Sequence, residues 1–104
     1  MPLIPFQYYL YALRNYVMSE RVLASEMSSD AASCFLGLVI LKLRDAPTSI
    51  ISIMEDMLPA VEYVASNQML FDADIDIYGD FIEKLSEIKR LLLIAKVEPV
   101  NKFV

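Results

Sequence analysis

Ser28-Ser29-Asp30-Ala31-Ala32-Ser33-Cys34-Phe35-Leu36-Gly37-Leu38-Val39-Ile40-Leu41-Lys42-Leu43-Arg44 is the stretch that decides the fold. Its apolar residues fall on nearly every side of a helical wheel and leave only a narrow strip of Asp30, Ser33, Gly37 and Arg44. A helix of that kind is expected to be buried on most sides, which requires other helices around it. A membrane could also cover it. However, the run from Ala31 to Leu43 contains Lys42 and is shorter than the roughly 18–20 apolar residues that a span needs. The reading is therefore a central bundle helix over 29–44, with Ser28, Ser29 and Asp30 as its N-cap and Cys34 as a small buried hydrophobe.

Upstream, Pro5 opens a helix predicted over 6–26. Phe6, Tyr9, Leu10, Leu13, Tyr16, Val17, Leu23 and Ala24 form one apolar face. Tyr8, Tyr11, Met18 and Val22 extend it sideways, while Gln7, Arg14, Arg21 and Ser25 make a polar wedge. Downstream, Asp45-Ala46-Pro47 ends the central helix, and Thr48 is the expected cap of a third helix over 48–66. That helix is amphipathic, with Met54, Met57, Val61 and Val64 opposite Glu55, Asp56 and Glu62. Pro59 is expected to kink or split it about one turn upstream. A fourth helix is predicted over 80–97, capped by Asp80 with Glu83 closing a capping box, striped by Phe81, Leu85, Ile88, Leu92 and Ala95, and stopping before Pro99. Residues 98–104 then form a tail that docks on a neighbour. The fold class is all-α: a single compact bundle of four helices, or five if Pro59 breaks the third, with short connections.

Composition bounds the function. The chain has 104 residues, of which 57% are hydrophobic, above the roughly 45–50% typical of soluble domains, so the surplus is expected to serve association. The N-terminal region has no basic segment ahead of an apolar one, which predicts a cytoplasmic protein. There is no His, and the formal charge is -5. Without His the usual Ser and Cys nucleophiles lack their base, and two Gly cannot build a phosphate-cradling loop, so no enzyme and no cofactor are predicted.

Charge is segregated along the chain. Residues 45–83 hold nine carboxylates and no Lys or Arg. Their helical members Glu55, Asp56 and Glu62 read as an acidic face that guides a partner. The partner is expected to be a second copy, as a homodimer, or another protein, anchored by Tyr8, Tyr11, Tyr16, Met18 and Val22. The corresponding function is a small helical adaptor, chaperone, inhibitor or complex subunit. Lys84, Lys89, Arg90 and Lys96 offer an alternative as nucleic-acid contacts within a nucleoprotein or viral assembly.

The acidic run Asp72-Ala73-Asp74-Ile75-Asp76-Ile77-Tyr78-Gly79-Asp80-Phe81-Ile82-Glu83 suggests a third class, a metal-responsive regulator. Asp72, Asp74, Asp76 and Glu83 fall at ligand positions of a calcium loop of about twelve residues, but Ile77 stands where the sharp turn needs Gly. The structural alternative is an extended loop exposing the three aspartates, with Ile75 and Ile77 facing inward.

Overall fold

A computed structural model describes the backbone of residues 3–24 and 28–101 and the side chains of residues 6–24 and 28–95. The elements are α1 (Leu3–Val17), the single turn α2 (Glu20–Leu23), α3 (Ser28–Asp45), two 3-10 turns (Pro47–Ser49 and Ile51–Ile53), α4 (Met54–Ser66), the single turn α5 (Ile75–Tyr78) and α6 (Phe81–Asn101). Among the described residues there are no strands, and the chain is an all-α bundle of four long helices, as its periodicity predicts.

The packing order is not the simplest one. α3 packs most extensively on α6, and the two run parallel: Arg44 bonds Glu87 at 2.9 Å, while Ser29 bonds Tyr78 just ahead of α6. α1 and α4 are also parallel, since Gln7 reaches Ser49 and Ser52 while Tyr11 donates to Asp56 one turn further along both. The link from α3 to α4 therefore crosses the bundle diagonally at one end, whereas the α1–α3 and α4–α6 links follow its edges.

That crossing explains two departures from the expected third helix. Residues 47–53 run as 3-10 turns, which rise about 2.0 Å per residue against about 1.5 Å in an α-helix and so cover more distance per residue. Ile50 and Ile53 are buried there and close the core. Thr48 lies inside the first of these turns and does not cap α4, whose N-cap position is Ile53 without a side-chain bond. Pro59 does not split the helix, although it is the sixth of its thirteen residues. It is exposed in the second turn of α4, where its missing N–H spares only the carbonyl of Glu55.

The first helix breaks after Val17. Ser19 Oγ and Ser19 N both bond the carbonyl of Tyr16, and Ser19 turns extended before α2. The break resets the helical phase, so Val22 enters the core while Leu23 and Ala24 face out. In α1 the buried stripe is Phe6, Leu10 and Val17, flanked by Leu13 and Tyr16, and Tyr9 is exposed rather than on the core face. Gln7, part of the polar wedge, is spent on the crossover, and Arg14 lies 5.0 Å from the centre of the Tyr11 ring.

α3 also departs from its wheel. Ala32, Phe35, Leu36, Val39 and Leu43 are buried, but Cys34 and Leu41 are exposed, because its neighbours cover one broad arc and not the whole circumference. In α6, Phe81, Ile88 and Leu92 are buried as the stripe requires. The helix continues through Pro99 to Asn101 instead of stopping before it. A proline this close to the C-terminus removes one backbone bond where the helix is ending anyway. Most of the predicted tail is thus helical, and its last residues, 102–104, lie outside the described residues.

Candidate protein-binding surface

The connection from α4 to α6 forms one end of the bundle, and a single buried side chain organises it. Gln68 donates from Nε2 to the carbonyls of Ala73 at 2.9 Å and Gly79 at 2.8 Å, and its Oε1 accepts the Phe81 N–H at 2.9 Å. Three backbone groups that would otherwise lack partners are satisfied by one amide. The return bond that a capping box would draw from Glu83 is not formed, although Asp80 caps α6 by accepting the Ile82 N–H at 2.9 Å. Gly79, at φ 79°, makes the left-handed step between α5 and α6.

The same segment is tied to α3 by residues expected to act as helix caps. Ser28 Oγ donates to the Phe71 carbonyl at 2.9 Å, and Ser29 Oγ donates to the Tyr78 hydroxyl, which in turn donates to Asp30. Phe71 is fully buried and meets Tyr63 edge to face at 5.9 Å.

With Phe71 and Ala73 taking the inward places, Ile75 and Ile77 face outward, the reverse of the expected loop. The cause is local. Asp74 accepts the Asp76 N–H at 2.8 Å and starts the helical turn α5, so the backbone is not extended and the two isoleucines do not share an inward face. Met69, 76% exposed, and Ile77, 73% exposed, stand out from the tip with Leu70, Ile75 and Ile82. Met69, Ile75 and the three aspartates Asp72, Asp74 and Asp76 line a hollow of about 340 Å³.

The predicted metal ligands are not gathered. Glu83 lines a different groove, of about 460 Å³ between α3 and α6, with Gly37, Ile40, Arg44, Lys84 and Glu87. Among the described residues no three acidic or cysteine side chains converge on a point where they could hold a metal ion.

The predicted protein anchors divide. Tyr8 is 78% exposed and Met18 is half exposed, whereas Tyr11 and Tyr16 pack partly on the core. Val22 is enclosed by the chain's own core and offers nothing to a partner in this fold. Met18 shares a groove of about 370 Å³ with the acidic residues Glu55 and Asp56, beside Arg14 and Pro59. The Asp56 carboxylate accepts the Tyr11 hydroxyl, and this bond raises the pKa of Tyr11 above its ordinary value.

Two exposed basic residues of α6 pair with carboxylates of their own chain. Arg90 Nη2 is 2.7 Å from Glu87, Lys89 Nζ is 3.9 Å from Glu62, and the aliphatic end of Lys84 covers Gly79. The side chain of Lys96 lies outside the described residues. Glu87, held between Arg90 and Arg44, has its carboxyl pKa lowered, first by the Arg90 hydrogen bond and then by that of Arg44.

The residues that sequence reasoning leaves out are Gln68, Met69, Leu70 and Tyr78. Their signal was an apolar pair, Met69-Leu70, inside a segment otherwise rich in turn formers and acids. Compared with known protein families, curated proteins and solved structures, the chain finds no match.

Proposed function

We propose that this chain is a non-catalytic protein-interaction or assembly protein of the cytoplasm. The observation that carries the reading is the exposure of large apolar side chains on a bundle whose core is already filled. Tyr8, Tyr9 and Met18 stand on the α1 side, and Met69, Leu70, Ile75 and Ile77 at the α4–α6 tip. Single exposed apolar residues are ordinary, but groups of them bordered by charge are characteristic of contact surfaces. No helix among the described residues is long and apolar enough to cross a membrane, so a bilayer-spanning segment is not what they serve.

Self-association through Tyr8 and Met18 is the first form of this function to test. Light scattering over a range of protein concentration is expected to return a concentration-stable dimer. The double variant Tyr8→Lys, Met18→Lys is expected to return a monomer with unchanged helicity, because both side chains are exposed and such substitutions usually alter stability by less than about 0.5 kcal/mol. A monomer at every concentration in the unaltered chain overturns self-association. The nucleic-acid reading has less support, since Lys89 and Arg90 already face carboxylates of their own chain.

A further inference from the structure

We infer that the α4–α6 tip is a docking site for a basic amphipathic segment of a different protein, an inference that rests on the protein-interaction reading above. Three features of the tip, taken together, specify this occupant.

The first is preformation. The backbone beneath the exposed residues is pinned by the three bonds of Gln68 and by Ser28 on the Phe71 carbonyl, and the Tyr78 side chain is fastened to α3 by Ser29 and Asp30. Met69, Ile75 and Ile77 are therefore held outward by a fastened frame, and ordering them costs a partner little. Met69 adds an unbranched, adaptable side chain of the kind that suits varied apolar partners.

The second is charge. Asp72, Asp74 and Asp76 rim the hollow that Met69 and Ile75 help to line, and among the described residues none of the three is in a salt bridge. Residues 45–83 contain no Lys or Arg, and Lys84, the next cation along the chain, lies over Gly79 and does not line the hollow. An apolar floor with an uncompensated acidic rim fits Lys or Arg side chains, whose aliphatic stems lie on apolar atoms while their charged heads stay at the wet edge. Leu or Ile one helical turn away would meet Met69 and Ile75, the usual pattern of a helix laid on an apolar surface.

The third is what the rim excludes. Anionic lipid and nucleic acid would be repelled by three clustered aspartates. A second copy presenting the same tip would oppose carboxylate to carboxylate.

The test is a fluorescence-anisotropy titration of the full chain against a labelled peptide of about 15 residues with Leu and Lys at helical spacing, long enough to hold a helix when bound. The controls are the same pattern with Glu for Lys, and anionic phosphatidylserine vesicles. Saturable binding of the Leu/Lys peptide is expected. It should weaken about tenfold or more in Met69→Ser, Ile75→Ser and comparably in Asp72→Asn, Asp74→Asn, Asp76→Asn, the Asn at 74 preserving the helix cap. Circular dichroism identifies any variant that loses the fold, and backbone amide shifts map the bound peptide independently of mutation. Shifts confined to the tip support the inference. Shifts at Tyr8 and Met18 instead overturn it while leaving the protein-interaction reading intact. Equal binding of the Glu peptide, stronger binding to the vesicles, or no binding of the Leu/Lys peptide overturns it outright. The interaction reading has its own arm in the light-scattering experiment.

Discussion

Each end of the bundle carries closely spaced isoleucines, Ile50, Ile51 and Ile53 at the α3–α4 crossing and Ile75 and Ile77 at the α4–α6 tip. At the crossing the chain must pass over the bundle diagonal, so Ile50 and Ile53 drop into the core and the connection is held by apolar burial. At the tip the chain turns along one edge. There a buried amide and Ser28 hold the backbone, Ser29 and Asp30 hold the Tyr78 hydroxyl, and the isoleucines are released to solvent. Both connections bury apolar side chains, Ile50 and Ile53 at one and Phe71 and Ala73 at the other, but only the tip, framed by the buried amide of Gln68, leaves large apolar side chains free for another molecule.

The largest expected effect strikes that comparison directly. Ile50→Ala removes a side chain at 0% exposure and is expected to destabilise the fold by about 2–5 kcal/mol, the usual range for emptying a core isoleucine site. Ile77→Ala is expected to change stability by less than about 0.5 kcal/mol, as at other exposed positions. Urea unfolding of both variants measures the pair. Equal losses would mean that the tip's isoleucines are packed after all.

Next in size is the polar frame. Gln68→Leu keeps the bulk but strands the Phe81 N–H and the carbonyls of Ala73 and Gly79, at about 1–3 kcal/mol for a buried group left unpaired. Because the frame is local, hydrogen exchange at amides of residues 69–81 is expected to quicken more than exchange in α3. Uniform quickening across the chain would show that the tip is not a separate unit.

The legibility of the fold followed the same division. Helix periods, the Asp80 cap and the core stripes of α4 and α6 were readable because apolar burial repeats along the sequence. The break after Val17 was not, since a Ser19 hydroxyl returning to a carbonyl leaves no periodic trace, and it moved Val22 from the expected interface into the core. Exposure of Cys34 and Leu41 was equally hidden, because a wheel gives the breadth of an apolar face but not how much of it the neighbours cover. At the tip, Asp72, Asp74 and Asp76 were legible as exposed acids. Their apolar companions were misassigned because whether Ile75 and Ile77 point in or out depends on a cap formed by Asp74, a choice between extended and helical backbone that the alternating pattern leaves open.

The smallest expected effect concerns charge on the α3–α6 side, where Arg44 of α3 reaches Glu87 of α6, which also pairs with Arg90 on its own helix. The folded state lowers the Glu87 pKa, chiefly through the Arg90 hydrogen bond and then through Arg44. The unfolded chain therefore takes up this proton at a higher pH than the native one. The contribution of the pair to stability is fully present above the unfolded carboxyl value and is lost as pH falls through the lower folded value. Glu87→Gln is expected to destabilise slightly at neutral pH, as exposed pairs do, and to flatten the fall of the melting temperature between neutral and acidic solution. The tip should be indifferent to that change, because none of the bonds that frame it involves Glu87, Arg44 or Arg90. If Glu87→Gln instead quickens exchange at residues 69–81, the salt bridge and the polar frame are one cooperative unit, and the contrast between a flank tied by an ion pair and a tip framed by a buried amide fails at that point.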